Sequence, residues 1–336
     1  MSRPPIRRNW RSTNPLSHRR SNLRILYFGT AAIGIPLLRR CVSLGQVAGV
    51  VTAPDRRAGR GRRPKPSAIK QAALEIGVEV YQPLDVNSPE SIKWCASHKP
   101  DAFVLFAYGQ ILSGKLLAIP RWAINVHPSL LPAYRGAAPL QRAIMEGEEE
   151  TGITIIQMSE RVDTGGILLS EPLPIEPDDT YGDLAEHVSR AAGYLVEKTI
   201  EGLLDGTLKP SPQSSEGITK APKIRKEERL IDWSRPVGKI HNLVRALSPE
   251  PLAYTFFRGK RLEIVHSRIA DEEGAGVPGS MILESGKLVV QCGSGFLEVL
   301  KVKPEGKAQM DAAAFANGYR PKSNEILGSR NTHSCP

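Results

Sequence analysis

The four cysteines of this 336-residue chain, Cys41, Cys95, Cys292 and Cys335, lie far apart, and without close pairs there is neither zinc-ligand spacing nor a thiol redox motif. Reduced, mostly buried thiols are the expected state. No apolar run approaches the roughly 20 residues that cross a bilayer as a helix, because charges or prolines interrupt every candidate, so a non-membrane protein is expected. The first 22 residues lack the apolar segment of a secretory signal, which argues against export by that route. Gly29 and Gly34 have the gap of a phosphate loop, but Ile35 and Pro36 follow where Lys and Ser or Thr would hold a triphosphate. Gly29 does not open a Gly-x-Gly-x-x-Gly fingerprint either, so a dinucleotide site has little support. No Gly-x-Ser-x-Gly elbow surrounds Ser129, and a serine two residues from His127 on one loop does not suit a serine hydrolase. The sequence shows no evident metal cluster.

What is present is unevenly distributed. The net charge is +10, yet residues 1–24 carry seven arginines and no acid, and Thr52 to Lys70 carry seven basic residues against Asp55 alone, leaving the remainder mildly acidic. Two basic segments on such a body point to a polyanionic partner. From Leu23 onward, apolar runs alternate with amphipathic stretches, the pattern of a mostly parallel sheet covered by helices. Strands are expected at Arg24 to Phe28, Val47 to Val51, Val78 to Tyr81, Ala102 to Leu105, Trp122 to Val126, Ile153 to Met158 and Ile167 to Leu169. Ser67 can cap a helix running to Ile76, Ser88 with Pro89 can start another ending near Ser97, and a longer helix spans Tyr181 to Leu204.

After Gly206 the stretch Lys209 to Gly217 has the polar, Pro/Ser-rich look of a linker. Beyond it one helix, Val237 to Ala246, precedes strand-like runs at Ala253 to Phe257, Leu262 to Ser267, Lys287 to Gln291 and Phe296 to Val302, as in a small barrel. The expected organisation is a disordered basic extension over 1–22, a catalytic domain over 23–206 with a basic loop inserted at 52–66, a linker over 207–221 and a second domain over 222–330.

Asn125 and His127 end a buried strand that stops at Pro128, and alternation along a strand points both side chains the same way. Asp163 follows 36 residues after His127, in Val162-Asp163-Thr164-Gly165-Gly166, just past a second apolar run, so two strand ends are expected to converge on one crevice. An amide, an imidazole and a carboxylate are a set able to move a one-carbon acyl group. Transfer between nitrogens needs stabilisation of a tetrahedral oxyanion and delivery of a proton to the departing nitrogen. Asn125 and a protonated His127 can donate to the oxyanion, Asp163 can orient the imidazole and favour its cation, and no metal is required.

These motifs make the chain resemble the methionyl-tRNA formyltransferases over about Leu23 to Ala316. Asn125-Val-His127-Pro-Ser-Leu-Leu-Pro132 with Arg135-Gly136-Ala137-Ala138-Pro139 is similar to the family's formyl-transfer loop, and Asp163 falls at its third catalytic position. The resemblance implies a Rossmann-like formyltransferase domain followed by an OB-like barrel, with 10-formyltetrahydrofolate as donor substrate rather than a tightly bound cofactor. It implies methionyl initiator tRNA as acceptor. Folate contacts are implied at Phe106, Tyr108, Gly109, Ile111, Ser129, Leu130, Leu131 and Pro132. Arg56, Arg57, Arg60, Arg62 and Arg63 resemble the loop that grips the acceptor stem, with Arg60 at the discriminating position, and Arg225, Lys226 and Arg229, with Arg235 and Lys239, suggest a phosphate-facing stripe at the start of the barrel. A monomer in a bacterial cytoplasm is expected; for residues 1–22 an organelle transit peptide, an RNA-binding tail and a misassigned start stay open. The chain departs from the family after Gly29-Thr30, where Ala31, Ala32 and Ile33 replace the usual Pro and Phe. Relatives that hydrolyse 10-formyltetrahydrofolate or formylate small amines are the alternative.

Overall fold

Runs rich in Val, Ile and aromatic residues form a seven-stranded sheet. Its strands are β1 (Arg24–Gly29), β2 (Gln46–Val51), β3 (Val80–Tyr81), β4 (Ala102–Phe106), β5 (Trp122–His127), β6 (Glu150–Gln157) and β7 (Ile167–Pro174), in the order β7-β6-β5-β4-β1-β2-β3. The computed structural model describes residues 23–58, 63–271, 273–284 and 286–328; the extension 1–22 and the loop tip with Arg60 and Arg62 lie outside them. Strands β3, β2, β1, β4 and β5 run parallel, as the alternating pattern anticipates, whereas β6 is antiparallel to both of its neighbours, β5 and β7.

Helices α1 (Ile35–Leu44), α2 (Ala68–Glu75), α3 (Pro89–Ser97), α4 (Pro139–Glu146) and α5 (Tyr181–Asp205) cover the sheet. Side-chain alternation sends Ile25, Tyr27, Val104, Ile124 and Val126 into one core with Leu37, Ile69, Leu140 and Val188 of α1, α2, α4 and α5. Leu26, Phe28, Phe103, Leu105 and Ala123 face the other way, against Val86 and Cys95 of the α3 layer. The expected caps are in place: Ser67 accepts from Lys70 N at 3.0 Å and Ser88 from Ser91 N at 3.2 Å. Helix α5 begins with a Thr180–Asp183 capping box. Helix α4 was not anticipated, because its first residues, Pro139 to Gln141, read as the end of the loop that resembles the formyl-transfer motif.

The second domain is an antiparallel sheet of β8 (Ala253–Phe257), β9 (Lys260–Asp271), β10 (Met281–Glu284), β11 (Lys287–Gln291) and β12 (Phe296–Pro304), in the order β8-β9-β12-β11-β10. Register shifts bend the long β9–β12 ladder. The sheet curves over α6 (Val237–Ala246) and α7 (Ala312–Tyr319), whose Ile240, Val244 and Phe315 pack with Ile264, Val290 and Leu297.

Between the two cores, α4 meets α6, and Met145 touches both clusters. Arg142 Nη1 lies 2.7 Å from Glu228 Oε1 at this junction, and the hydrogen bond from the guanidinium pulls the Glu228 carboxyl down to about 2. A cavity of about 340 Å³ opens here, lined by Arg142, Glu146, Glu228, Arg235 and Lys239. The segment read as a linker does not run free: Ser211 forms a bridge with Ile167, and Lys220–Ala221 pairs in parallel with Arg135–Gly136.

Candidate functional site

Strand β5 positions the first two polar residues. Since Ile124 and Val126 enter the core under α4 and α5, Asn125 and His127 project to the opposite face. His127 is buried and Asn125 half-buried. The Asn125 amide makes no hydrogen bond among the described residues, so its N–H and C=O groups remain available to a ligand. His127 Nε2–H donates to the Tyr134 carbonyl at 2.9 Å, and Nδ1 lies 3.5 Å from Asp163 Oδ2.

Asp163 does not arrive there as the sequence reading expected. Strand β6 runs antiparallel to β5, pairing Thr154 with His127 and Gln157 with Ile124, and Met158 N donates to Ala123 O. The end of β6 therefore reaches the start of β5, away from His127, and the loop after it must double back. It does so with Asp163 in the left-handed region at φ +54°, which an aspartate tolerates better than most residues. Gly165 fits this turn because an added Cβ would stand 1.8 Å from the Gln157 carbonyl oxygen. The carboxylate is then fixed by Gly136 N, which donates to Oδ2 at 2.9 Å.

The partner of His127 is fixed as firmly. Tyr134 sits at φ +58°, costly for a bulky side chain. Its N–H donates to Thr219 Oγ1 at 2.7 Å and its hydroxyl to Glu148 at 2.6 Å. Tyr134 and Thr219 escaped the sequence reading, and Gly136 was read only as part of a motif, since they act through backbone groups or from the supposed linker.

Burial sets the protonation of His127. Desolvation pushes the His127 imidazole below its ordinary pKa and outweighs the opposing pull of Asp163 and of the Tyr134 carbonyl, while Arg135 adds to the lowering. Asp163 favours the cation, as expected, but burial outweighs it and favours the uncharged imidazole at neutral pH. The buried His241 and the half-buried His266 are lowered by desolvation too. All three bind protons more readily unfolded than folded, so stability present above about pH 6.5 is lost as the pH falls from there through their folded values. The urea midpoint is expected to be lower at pH 5.5 than at pH 7.5; a higher midpoint at pH 5.5 contradicts the assignment.

The residues implied to touch folate divide into two groups. Phe106 is a fully buried core residue, and Tyr108 is buried edge-on against Phe28 at 5.5 Å, its hydroxyl without a hydrogen-bond partner among the described residues. Ser129 is equally closed off, its hydroxyl donating to Ala133 O at 2.7 Å and its carbonyl accepting from Thr154 Oγ1. Leu131 is buried, while Leu130 and Pro132 are half-buried and Gly109 and Ile111 exposed. Thr30 Oγ1 donates to Tyr108 O at 2.9 Å, which ties the turn after β1 to this segment.

The basic loop is a hairpin at its base, with Arg56 paired to Lys65, Arg57 to Pro64 and Ala58 to Arg63. Arg56 is exposed, and Lys70 anchors the base through Asp55 at 2.8 Å, so Lys70 is not a free cation. Arg225 and Lys226 are exposed at the start of the second domain. Arg229 departs from the expected stripe. It donates to the Pro251 and Leu252 carbonyls and pairs with Glu263 at 3.5 Å, which makes it a brace between the domain entry and its sheet.

Residues 23–200 match the family model described as formyl transferase, and residues 223–320 match the one described as formyl transferase, C-terminal domain. Fold and site together thus define a two-domain formyl transferase. A methionyl-tRNA formyltransferase of Acidithiobacillus ferrooxidans is 43% identical over 91% of this chain and 98% of its own length, and one of Solibacter usitatus 42% identical over 91% and 99%. The chain belongs to the methionyl-tRNA formyltransferase family. Among solved structures, HypX from Aquifex aeolicus in complex with tetrahydrofolic acid shares the fold at TM-score 0.63 and 18% identity, covering 91% of this chain and 49% of that one. A methionyl-tRNA formyltransferase from Clostridium thermocellum does so at TM-score 0.53 and 17% identity, over 83% and 99%. No helix among the described residues is long and apolar enough to cross a membrane.

Proposed function

We propose that this chain transfers the formyl group of 10-formyltetrahydrofolate to the α-amino group of methionyl initiator tRNA. The observation that carries this reading is the unpartnered Asn125 amide on the same strand face as His127, whose Nδ1 stands 3.5 Å from Asp163 Oδ2. The acceptor amine lies α to an ester and is less basic than a free α-amino group at about 7.7 to 8.0, so much of it is already neutral. It attacks the formyl carbon, a C–N bond forms, and the carbonyl oxygen takes up negative charge that the Asn125 N–H stabilises. His127, neutral at rest, takes the proton of the attacking amine at Nδ1 with Asp163 supporting the transient cation, directly or through one water, and delivers it to the folate nitrogen as its bond to carbon breaks. The products are N-formylmethionyl-tRNA and tetrahydrofolate.

The folate is placed beside Gly109, Ile111, Leu130 and Pro132, through backbone groups and apolar contact. The acceptor arm is assigned to the basic hairpin with Arg56, Arg57, Arg60, Arg62 and Arg63, and its flank to Arg225, Lys226, Arg235 and Lys239. The domains are assigned as 23–206 for catalysis and 222–330 for tRNA, and the protein acts as a monomer in the cytoplasm. A purified sample given 10-formyltetrahydrofolate and, in turn, charged initiator tRNA, free methionine and buffer separates the readings. Formylation of the charged tRNA is expected; tetrahydrofolate release without formylated tRNA would support the hydrolase or small-amine alternative. Arg60→Ala is expected to raise KM for the charged tRNA and to reduce the salt dependence of kcat/KM by about one unit of slope. Unchanged tRNA kinetics across several salt concentrations would remove the hairpin from the interface.

A further inference from the structure

From Lys209 to Lys220 every residue is exposed except Gln213. Its side chain is turned inward, and all of its hydrogen-bonding groups are engaged. Nε2 donates to the carbonyls of Asp163 and Gly165, each at 2.8 Å. Oε1 accepts from the Arg135 guanidinium, at 3.1 Å from Nε. Arg135 precedes Gly136, whose N–H donates to the Asp163 carboxylate at 2.9 Å. A closed circuit of Gln213, Asp163, Gly136 and Arg135 thus joins the doubled-back loop to the segment that carries the Tyr134 carbonyl.

We propose that Gln213 is a positioning residue, an amide from the interdomain segment that sets the Asp163 carboxylate against His127 by clamping the loop backbone on one side and Arg135 on the other. The proposal rests on the reading of Asn125, His127 and Asp163 as the reacting trio. Its physical basis is that the Gly136 N–H holds the Asp163 carboxylate while Gln213 holds the loop backbone at the carbonyls of Asp163 and Gly165. Asp163 adopts φ +54°, and Thr164 beside it bonds within the loop, its hydroxyl to Ser159 Oγ at 2.9 Å and to the Arg161 carbonyl at 3.2 Å, whereas Gln213 ties the loop to the interdomain segment. Bonds to carbonyls fix a backbone without competing for the carboxylate, which is left to Gly136 and to the imidazole.

The test uses the full chain with Gln213→Ala and Gln213→Glu. The glutamate keeps an acceptor for Arg135 but sets a carboxylate against two carbonyl oxygens, and circular dichroism confirms that either variant is folded. The kcat for formyl transfer is expected to fall roughly 10- to 100-fold in both, with KM for both substrates within about twofold. Nitrogen-15 imidazole spectra of the substrate-free protein, with His127 assigned by its absence in His127→Ala, are expected to show the His127 titration midpoint lowered by about half a pH unit or more, because Asp163 no longer supports the cation. An unchanged His127 titration, or kcat equal to the wild type, in either folded variant overturns the proposal. The spectra need no substrate and still decide it should the transfer reading itself fail, which wild-type protein inert toward charged tRNA would show separately.

Discussion

His127→Ala is expected to lower kcat by about 10³-fold while leaving the affinity for charged initiator tRNA within twofold of the wild type. The imidazole makes one fixed contact, from Nε2–H to the Tyr134 carbonyl, and presents Nδ1 to Asp163 at 3.5 Å. It is assigned to proton movement, and it lies on the catalytic sheet, apart from the basic hairpin and the second domain. Its removal frees one part-buried carbonyl acceptor, that of Tyr134, which water entering the vacated space can satisfy, so the fold is expected to persist. Single-turnover rates measured beside tRNA binding check both halves. A rate within tenfold of the wild type would remove His127 from the chemistry, and weakened tRNA binding would show that it serves the interface instead.

The second large effect is expected at Asn125. Asn125→Ala should lower kcat by about 10²-fold or more, since the amide is read as a donor aimed at charge that develops only in the tetrahedral intermediate. A donor to the ground-state carbonyl would alter KM as much as kcat, so the ratio of the two effects is the informative quantity. The half-buried amide has no hydrogen-bond partner to lose among the described residues, so the fold is expected to persist. A variant with wild-type kcat and a raised KM for folate would reassign Asn125 to donor binding.

Much of this site was legible in the chain. Asn125 and His127 fall on one face because strand side chains alternate, and Pro128 marks the end of the strand. The parallel half of the sheet followed from the alternation of apolar runs with capped helices, and Ser67, Ser88 and the long α5 stand where their local signals place them. Less legible was anything set by strand direction or by backbone hydrogen bonds. An apolar run such as Gly152 to Met158 reads the same in a parallel or an antiparallel neighbour, so the expectation of two converging strand ends missed the doubling back that brings Asp163 to His127. Phe106, Tyr108 and Ser129 were assigned to folate by motif position, the first two through backbone groups and apolar contact, but motif position does not foretell burial, and all three side chains are buried. Gln213 was hidden for another reason. A polar, Pro/Ser-rich stretch carries no periodicity, and nothing in such composition separates a slack connector from one whose single inward amide clamps a loop. Arg229 shows the converse, a cation in a basic run whose guanidinium is drawn inward by the Pro251 and Leu252 carbonyls and Glu263.

The neutral resting imidazole sharpens the proposed chemistry. A permanently charged His127 would have to give up its proton before it could take one from the amine, whereas a neutral one with Asp163 beside it is ready to accept it. The most direct measurement of the central claim is a single-turnover reaction of the purified chain with 10-formyltetrahydrofolate and charged initiator methionyl-tRNA. Formylmethionine bound to tRNA and tetrahydrofolate are expected in equal amounts, with the signal lost in His127→Ala. Tetrahydrofolate formed without formylated tRNA, or an undiminished rate in His127→Ala, would contradict it.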